Sequence, residues 1–195
     1  MIATSCRYSR TPGRPRLIAA ILLCLLSTLS TGLRAQEALE PRLQIGINLL
    51  PAIIAANKAV ISSPADTELP IYLVYDTNRY LAEQLQLRLA RLGSIRKHRL
   101  LITALPLQSL LETEPGNPGS VFIVEPFDDR LDELIEFARQ RRTLLFSPFV
   151  GDVERGVNAG FQVTDKVLPM VNMESLKLSK IQLKAFFLRI AVKHE

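Results

Sequence analysis

Pro70-Ile71-Tyr72-Leu73-Val74-Tyr75 is a short β-branched and aromatic run, and the residues after it constrain the fold more than any other stretch. Asp76-Thr77-Asn78 offers N-cap oxygens, Leu81, Leu85, Leu89 and Leu92 recur at helical spacing, and Gly93 supplies a stop. A second apolar run, Leu100-Leu101-Ile102-Thr103-Ala104-Leu105, then arrives at the distance that a crossover between parallel strands requires. The cycle repeats. Leu107 to Leu111 fits a short helix, Glu114-Pro115-Gly116-Asn117-Pro118-Gly119 a loop, and Val121-Phe122-Ile123-Val124 a buried strand. Asp128-Asp129 is expected to cap a helix that turns Leu131, Leu134, Ile135 and Ala138 inward. That helix ends in Arg139-Gln140-Arg141-Arg142, where cations suit a helix C-terminus, and Thr143-Leu144-Leu145-Phe146 follows as a fourth strand. Strands this apolar must be covered on both faces, so the sequence predicts an α/β fold: a three-layer Rossmann-like sandwich with a mostly parallel sheet.

The flanks read differently. From Leu43 to Val60 the chain is densely apolar, and Pro51 suits a helix start or a kink, which suggests a short strand or extended lead followed by a buried helix. Ser62 to Thr67 carries connecting-loop residues. Towards the C-terminus, Gly156–Val163 and Lys166–Val171 flank Thr164-Asp165 and predict a β-hairpin with a two-residue connection. A closing helix with Phe186, Phe187, Leu188, Ile190 and Ala191 nearly all apolar is expected to be buried against the sheet.

Residues 1–35 have the tripartite pattern of a cleavable secretory signal peptide. Arg7, Arg10, Arg14 and Arg16 precede an apolar stretch from Leu17 to Leu29, and Ser30-Thr31-Gly32-Leu33-Arg34-Ala35 gives a small, polar exit. The apolar stretch is shorter than the roughly 20 residues that span a bilayer, so cleavage after Ala35 is expected rather than a permanent anchor. Both cysteines, Cys6 and Cys24, fall in this segment, together with five of the 24 Lys and Arg residues and no acidic one. The remaining domain, 36–195, therefore carries 19 basic and 19 acidic residues and no thiol, and it is expected in the periplasm. A neutral domain is a poor nucleic-acid ligand, because displacing counterions needs a basic stripe.

Little in the domain suggests catalysis. His98 lies in the basic cluster Arg96-Lys97-His98-Arg99, read as a solvated strand entry, and His194 lies beside the C-terminus, where a mobile chain end is expected. Neither has a second ligand at metal-binding spacing, no Gly-x-Ser-x-Gly elbow occurs, and no phosphate-cradling glycine loop is present. No catalytic residue, metal or cofactor is expected. The stretch Ser147 to Gly156, after the fourth strand, is the candidate surface, because loops beyond the carboxyl ends of strands in open α/β sheets are where partners dock. Phe149 and Val150 would give an apolar contact and Asp152, Glu154 and Arg155 a charged rim. The alternative is a plain connection with Phe149 and Val153 tucked into the core. Tyr72, Tyr75 and Tyr80 form a second aromatic group, more suited to packing than to ligand stacking.

The segment Gly156–Lys193 resembles the YfiR-like family of small periplasmic proteins. Val171-Asn172 stands where that family has an Ile-Asn pair. Ile181, Leu183, Phe187, Leu188, Ile190 and Ala191 fall without a gap on its Leu, Ile, Leu, Leu, Leu and Ala. Lys184-Ala185-Phe186 replaces the family's Ser-Ser-Lys, and its disulfide cysteines and Trp-Pro have no counterpart. The resemblance implies a non-enzymatic regulator that can dimerise. Its partner would be the periplasmic sensor region of an inner-membrane signalling protein, a diguanylate cyclase, which it would repress. The other class compatible with the fold is a periplasmic solute-binding module.

Overall fold

The strand predicted at Pro70–Tyr75 is Leu69–Tyr75 (β1) in the computed structural model, which describes residues 41–112 and 119–195. The predicted leader, its cleavage bond and the loop Glu114 to Pro118 lie outside the described residues. Before β1 come a helix over residues 41–56 (α1) and Lys58–Ser62 (α2). After it come Arg79–Ala90 (α3), Ser94–Ile95 (β2), His98–Pro106 (β3), Leu107–Leu111 (α4), Ser120–Ile123 (β4), Leu131–Arg141 (α5) and Leu144–Phe146 (β5). The chain continues through Asp152–Arg155 (α6), Ala159–Val163 (β6), Val167–Asn172 (β7), Met173–Leu178 (α7), Ala185–Ile190 (α8) and Val192–His194 (β8).

The eight strands form one sheet in the order β2-β3-β1-β4-β5-β6-β7-β8. From β3 to β6 all neighbours are parallel, while β2 and β7 run antiparallel to β3 and β6. Alternation along β4 separates the two faces. Val121 and Ile123 join Val74 and Leu145 in a core under α4 and α5 that includes Leu107, Leu110, Leu131, Leu134 and Ala138. Phe122, on the other face, stacks on Phe146 with ring centroids 5.5 Å apart. There α1 comes so close that a Cβ on Gly46 would stand 3.2 Å from the Phe122 ring. The sandwich with a mostly parallel sheet is therefore as expected.

Several local expectations change. The stretch from Leu43 is not extended: α1 is already helical at residue 41 and runs through Pro51. Leu43, Ile47, Leu50 and Ile54 form one fully buried stripe, and their burial offsets the helix bond that Pro51 cannot make. Asp128 and Asp129 do not cap α5: its N-cap is Arg130, without a side-chain bond, and the first-turn acids are Asp132 and Glu133. The hairpin connection has three residues, Thr164 to Lys166, since β6 ends at Val163 and β7 begins at Val167. Strand β6 starts only at Ala159; just before it the Asn158 side chain, not a strand carbonyl, accepts the Leu145 N–H of β5.

The C-terminus departs most. The closing helix is only six residues long, with Phe187 buried but Phe186 and Ile190 half exposed. The chain then turns into β8, which pairs with β7 and places His194 opposite Asn172. The free edge of β7 supplies the backbone partners that the chain takes once α8 ends. His98, expected in water, is only 4 % exposed and pairs with Ile95 at the start of β3.

Candidate functional site

The chain crosses from β1 to β3 on one side and then returns past β1 to form β4, so the strand order reverses between β1 and β4. In open α/β sheets the crevice beyond such a reversal is the usual ligand site. Here the chain fills it with a carboxylate of its own. Glu125, two residues beyond β4, accepts through Oε1 the backbone N–H groups of Asp76, Thr77 and Asn78 at 2.5, 2.7 and 3.0 Å. Its Oε2 accepts the Thr77 hydroxyl at 2.9 Å. Asn78 in turn caps α3, accepting the Leu81 N–H at 3.1 Å, so the donors that converge on Glu125 are fixed by the helix start. Burial pushes the Glu125 carboxyl up, but the bonds from Asn78, Asp76 and Thr77 outweigh it and hold the group below the ordinary glutamate range.

Next along the same edge is the loop after β5, the surface singled out from sequence. Three bonds shape it. The Ser147 hydroxyl donates to Asp152 Oδ2 at 2.5 Å and accepts the Phe149 N–H at 3.1 Å. Arg42 Nε, from α1, donates to the Pro148 carbonyl at 2.7 Å while its guanidinium stacks over Phe161. Gly151, at φ 89°, makes the turn into α6 that a side chain would strain.

The five candidate residues do different jobs. Val150 is 80 % exposed at the tip, and Phe149 is half buried against the α4–α5 core. Asp152 is not part of the rim: it is buried beneath the loop, bonded to Ser147. Burial pushes its carboxyl up, further helped by Asp128 and Glu154, against the opposing pull of Ser147 and Arg155. Glu154 is exposed, and Arg155 donates to the Asp128 carbonyl at 2.9 Å, tying the loop to the segment that leads into α5. Of the tyrosines, Tyr72 packs on the core and Tyr80 is 73 % exposed, so the three do not assemble into a stacking site.

Charge is segregated along residues 36–195, which carry 19 basic and 19 acidic side chains. Residues 125–136 carry six carboxylates against one arginine, whereas residues 173–193 carry five basic groups against one carboxylate. Arg130 is committed to Glu133 through two bonds of 2.8 and 2.9 Å, which leaves Asp128 and Asp129 to give the loop surface an acidic border.

Beneath it lies a buried polar network. Asn158 Oδ1 accepts the Leu145 N–H at 2.9 Å, and its amide donates to the Ser175 and Ser179 hydroxyls. Asn172 accepts the Ser175 N–H and donates to the Val153 carbonyl. The Val171-Asn172 pair is therefore a helix cap and a lock on α6. Sequence reasoning missed the Glu125 clamp and Asn158, because a lone Glu before Pro126 and a lone Asn in an apolar run carry no motif. Their one signal was position: polar residues at the ends of buried strands.

Among the described residues no three His, Cys, Asp or Glu side chains gather as a metal site, and no helix is long and apolar enough to cross a membrane. No family model and no curated protein matches the sequence. Solved structures similar to it include these two. One is an ABC domain in complex with L-Trp from Streptococcus pneumonia, at 9% identity and TM-score 0.48, with 77% of this chain and 59% of that one covered. The other is a conserved domain protein from Vibrio cholerae, at 16% identity and TM-score 0.48, with coverage of 80% and 60%. The chain thus spans about three fifths of each.

Proposed function

We propose that this protein is a non-enzymatic regulator that works in the periplasm by docking its 147–156 loop onto the sensor region of an inner-membrane signalling protein. The observation that carries the reading is a braced loop with an exposed apolar tip: Arg42, Ser147 and Asp152 hold the backbone, while Val150 projects into solvent. A tip ordered in advance loses little entropy on binding. Burying an exposed valine contributes about 1.5–3 kcal/mol, and the acidic border favours a basic partner face, with association that slows in salt. Repression follows by population shift. Holding a sensor almost wholly in one state takes about 5.5 kcal/mol of preference for it, more than Val150 supplies, so Phe149 and the rim must contribute. A diguanylate cyclase is the partner class implied by the YfiR-like resemblance.

The solute-binding alternative has less support at this edge, because Glu125 occupies the amides that an anionic ligand would need. The test is affinity capture from detergent-solubilised inner membranes with the wild-type protein and a Val150→Asp, Glu154→Lys variant. Both positions are exposed, so the variant should keep the wild-type melting temperature. Recovery of a sensor-bearing membrane protein by the wild type and its loss with the variant is the expected result, accompanied by a rise in cellular cyclic di-GMP when the gene is deleted. Equal recovery by both proteins would overturn the docking surface, and recovery of no membrane protein by either would overturn the regulator.

A further inference from the structure

We propose that the hollow framed by α2, α7 and α8 binds an anionic amphiphile, a single apolar tail ended by a carboxylate. The hollow has a volume of about 610 Å³, within the range of small-ligand sites. It shares no residue with the 147–156 loop. Its floor is apolar, with Leu176, Ile181 and Leu183 each less than a tenth exposed, and its rim carries Lys58, Lys177 and Lys180.

No acidic residue lines the hollow. Among the described residues none of the three lysines has a carboxylate within ion-pair distance, and Lys58 Nζ reaches only the Gln182 amide oxygen, at 3.5 Å. Three unneutralised cations around an apolar depression disfavour a cationic guest and attract an anion, while the floor rewards a tail.

The walls are fixed by backbone bonds. Lys58 N–H donates to the Gln182 carbonyl at 2.8 Å and Lys184 N–H to the Ala56 carbonyl at 3.0 Å, with an antiparallel bridge between Asn57 and Leu183. These bonds stitch the segment after α7 to the junction of α1 and α2, so the hollow does not depend on a guest to form. Lys180 adds a further point. It stands at φ 55° just beyond α7, a left-handed position that glycine takes with less strain. Lys180→Gly therefore removes a rim charge without weakening the fold.

The probe is sodium decanoate below its micelle concentration, titrated calorimetrically into the purified protein, with decan-1-ol and decyltrimethylammonium as controls. Saturable binding of one decanoate per chain is expected, with much weaker binding of both controls. Lys177→Gln, Lys180→Gly should weaken decanoate by about tenfold or more while melting at or above the wild-type temperature. Three results would overturn the proposal: no saturable decanoate binding, equal affinity for decan-1-ol, or an unchanged affinity in the double variant. Binding to phosphatidylglycerol vesicles that decanoate fails to displace would overturn it too, marking a membrane-docking face instead. None of these outcomes depends on whether a membrane partner is captured through Val150.

Discussion

Replacing Glu125 by glutamine tests whether the crevice between β1 and β4 is closed by a charge. Glutamine keeps an oxygen where Oε1 receives three amides, and its NH₂ can donate to the Thr77 hydroxyl, so shape and hydrogen-bond count are conserved while the charge is lost. Bonds to a charged acceptor contribute about 1.5–3 kcal/mol each, against about 0.5–1.5 for neutral ones. Three amides share one oxygen and the carboxylate is half in water, so the combined loss discounts to about 1–2 kcal/mol at neutral pH. For a domain of this size that lowers the Tm by about 2–8 °C. The pH dependence has a definite sign. The folded-state pKa of Glu125 is depressed, so its stabilisation is complete above the unfolded value near 4.5 and disappears as pH falls through the lower folded value. Thermal melts of wild type and Glu125→Gln should therefore differ by a constant amount from about pH 6 upward and converge in acid. A companion Glu125→Ala protein leaves the three amides facing an empty crevice, and acetate at matched ionic strength should raise its Tm where chloride does not. Identical melting of wild type and Glu125→Gln at pH 7, or a gap that persists undiminished in acid, would refute the clamp.

Other perturbations probe the supports of the loop. Asn158→Ala removes the acceptor for the buried Leu145 N–H and the donor to two buried serines, and urea unfolding should show a loss of about 2–4 kcal/mol; a loss below about 0.5 would mean that water replaces the network. Gly160→Ala places a Cβ 2.6 Å from the Ser147 carbonyl oxygen and 2.8 Å from a Val153 methyl, so it should cost about 1–3 kcal/mol in the same assay and loosen the loop in hydrogen exchange; unaltered stability would refute the close approach. The Asp152 carboxyl has its folded pKa raised, so wild type should gain stability as pH falls from neutral through that value. Asp152→Asn, which keeps an acceptor for Ser147, should lack this gain and melt at or above wild type at pH 7. A lower Tm than wild type at pH 7 would show that the ionised form is the favoured one.

Local patterns in the sequence were enough for the repeating part of the fold. The run around Leu73, the cap at Asn78 and the leucine spacing of α3 specify a crossover wherever the chain is placed, because capping and burial of a stripe are decided within one or two turns. The apolar strands at Val121 and Leu144 demanded cover on both faces for the same reason. Position after a predicted strand, together with turn residues and an apolar tip, also brought attention to the segment after β5.

What the sequence could not decide depends on groups that only the folded chain brings together. Pro51 within α1 is tolerated only because Leu43, Ile47, Leu50 and Ile54 find buried surroundings in the folded domain. The last apolar residues became a short helix and a strand because β7 offered an unpaired edge. Glu125 meets amides 47 to 49 residues earlier in the chain, Arg42 reaches a carbonyl 106 residues later, and Asp152 becomes a buried brace only when Ser147 closes over it. Periodicity records which face of an element is apolar, and so determined the layers. Which backbone donors remain to be satisfied at the strand ends, and which side chains converge there, is settled only when parallel strands bring those ends to one edge.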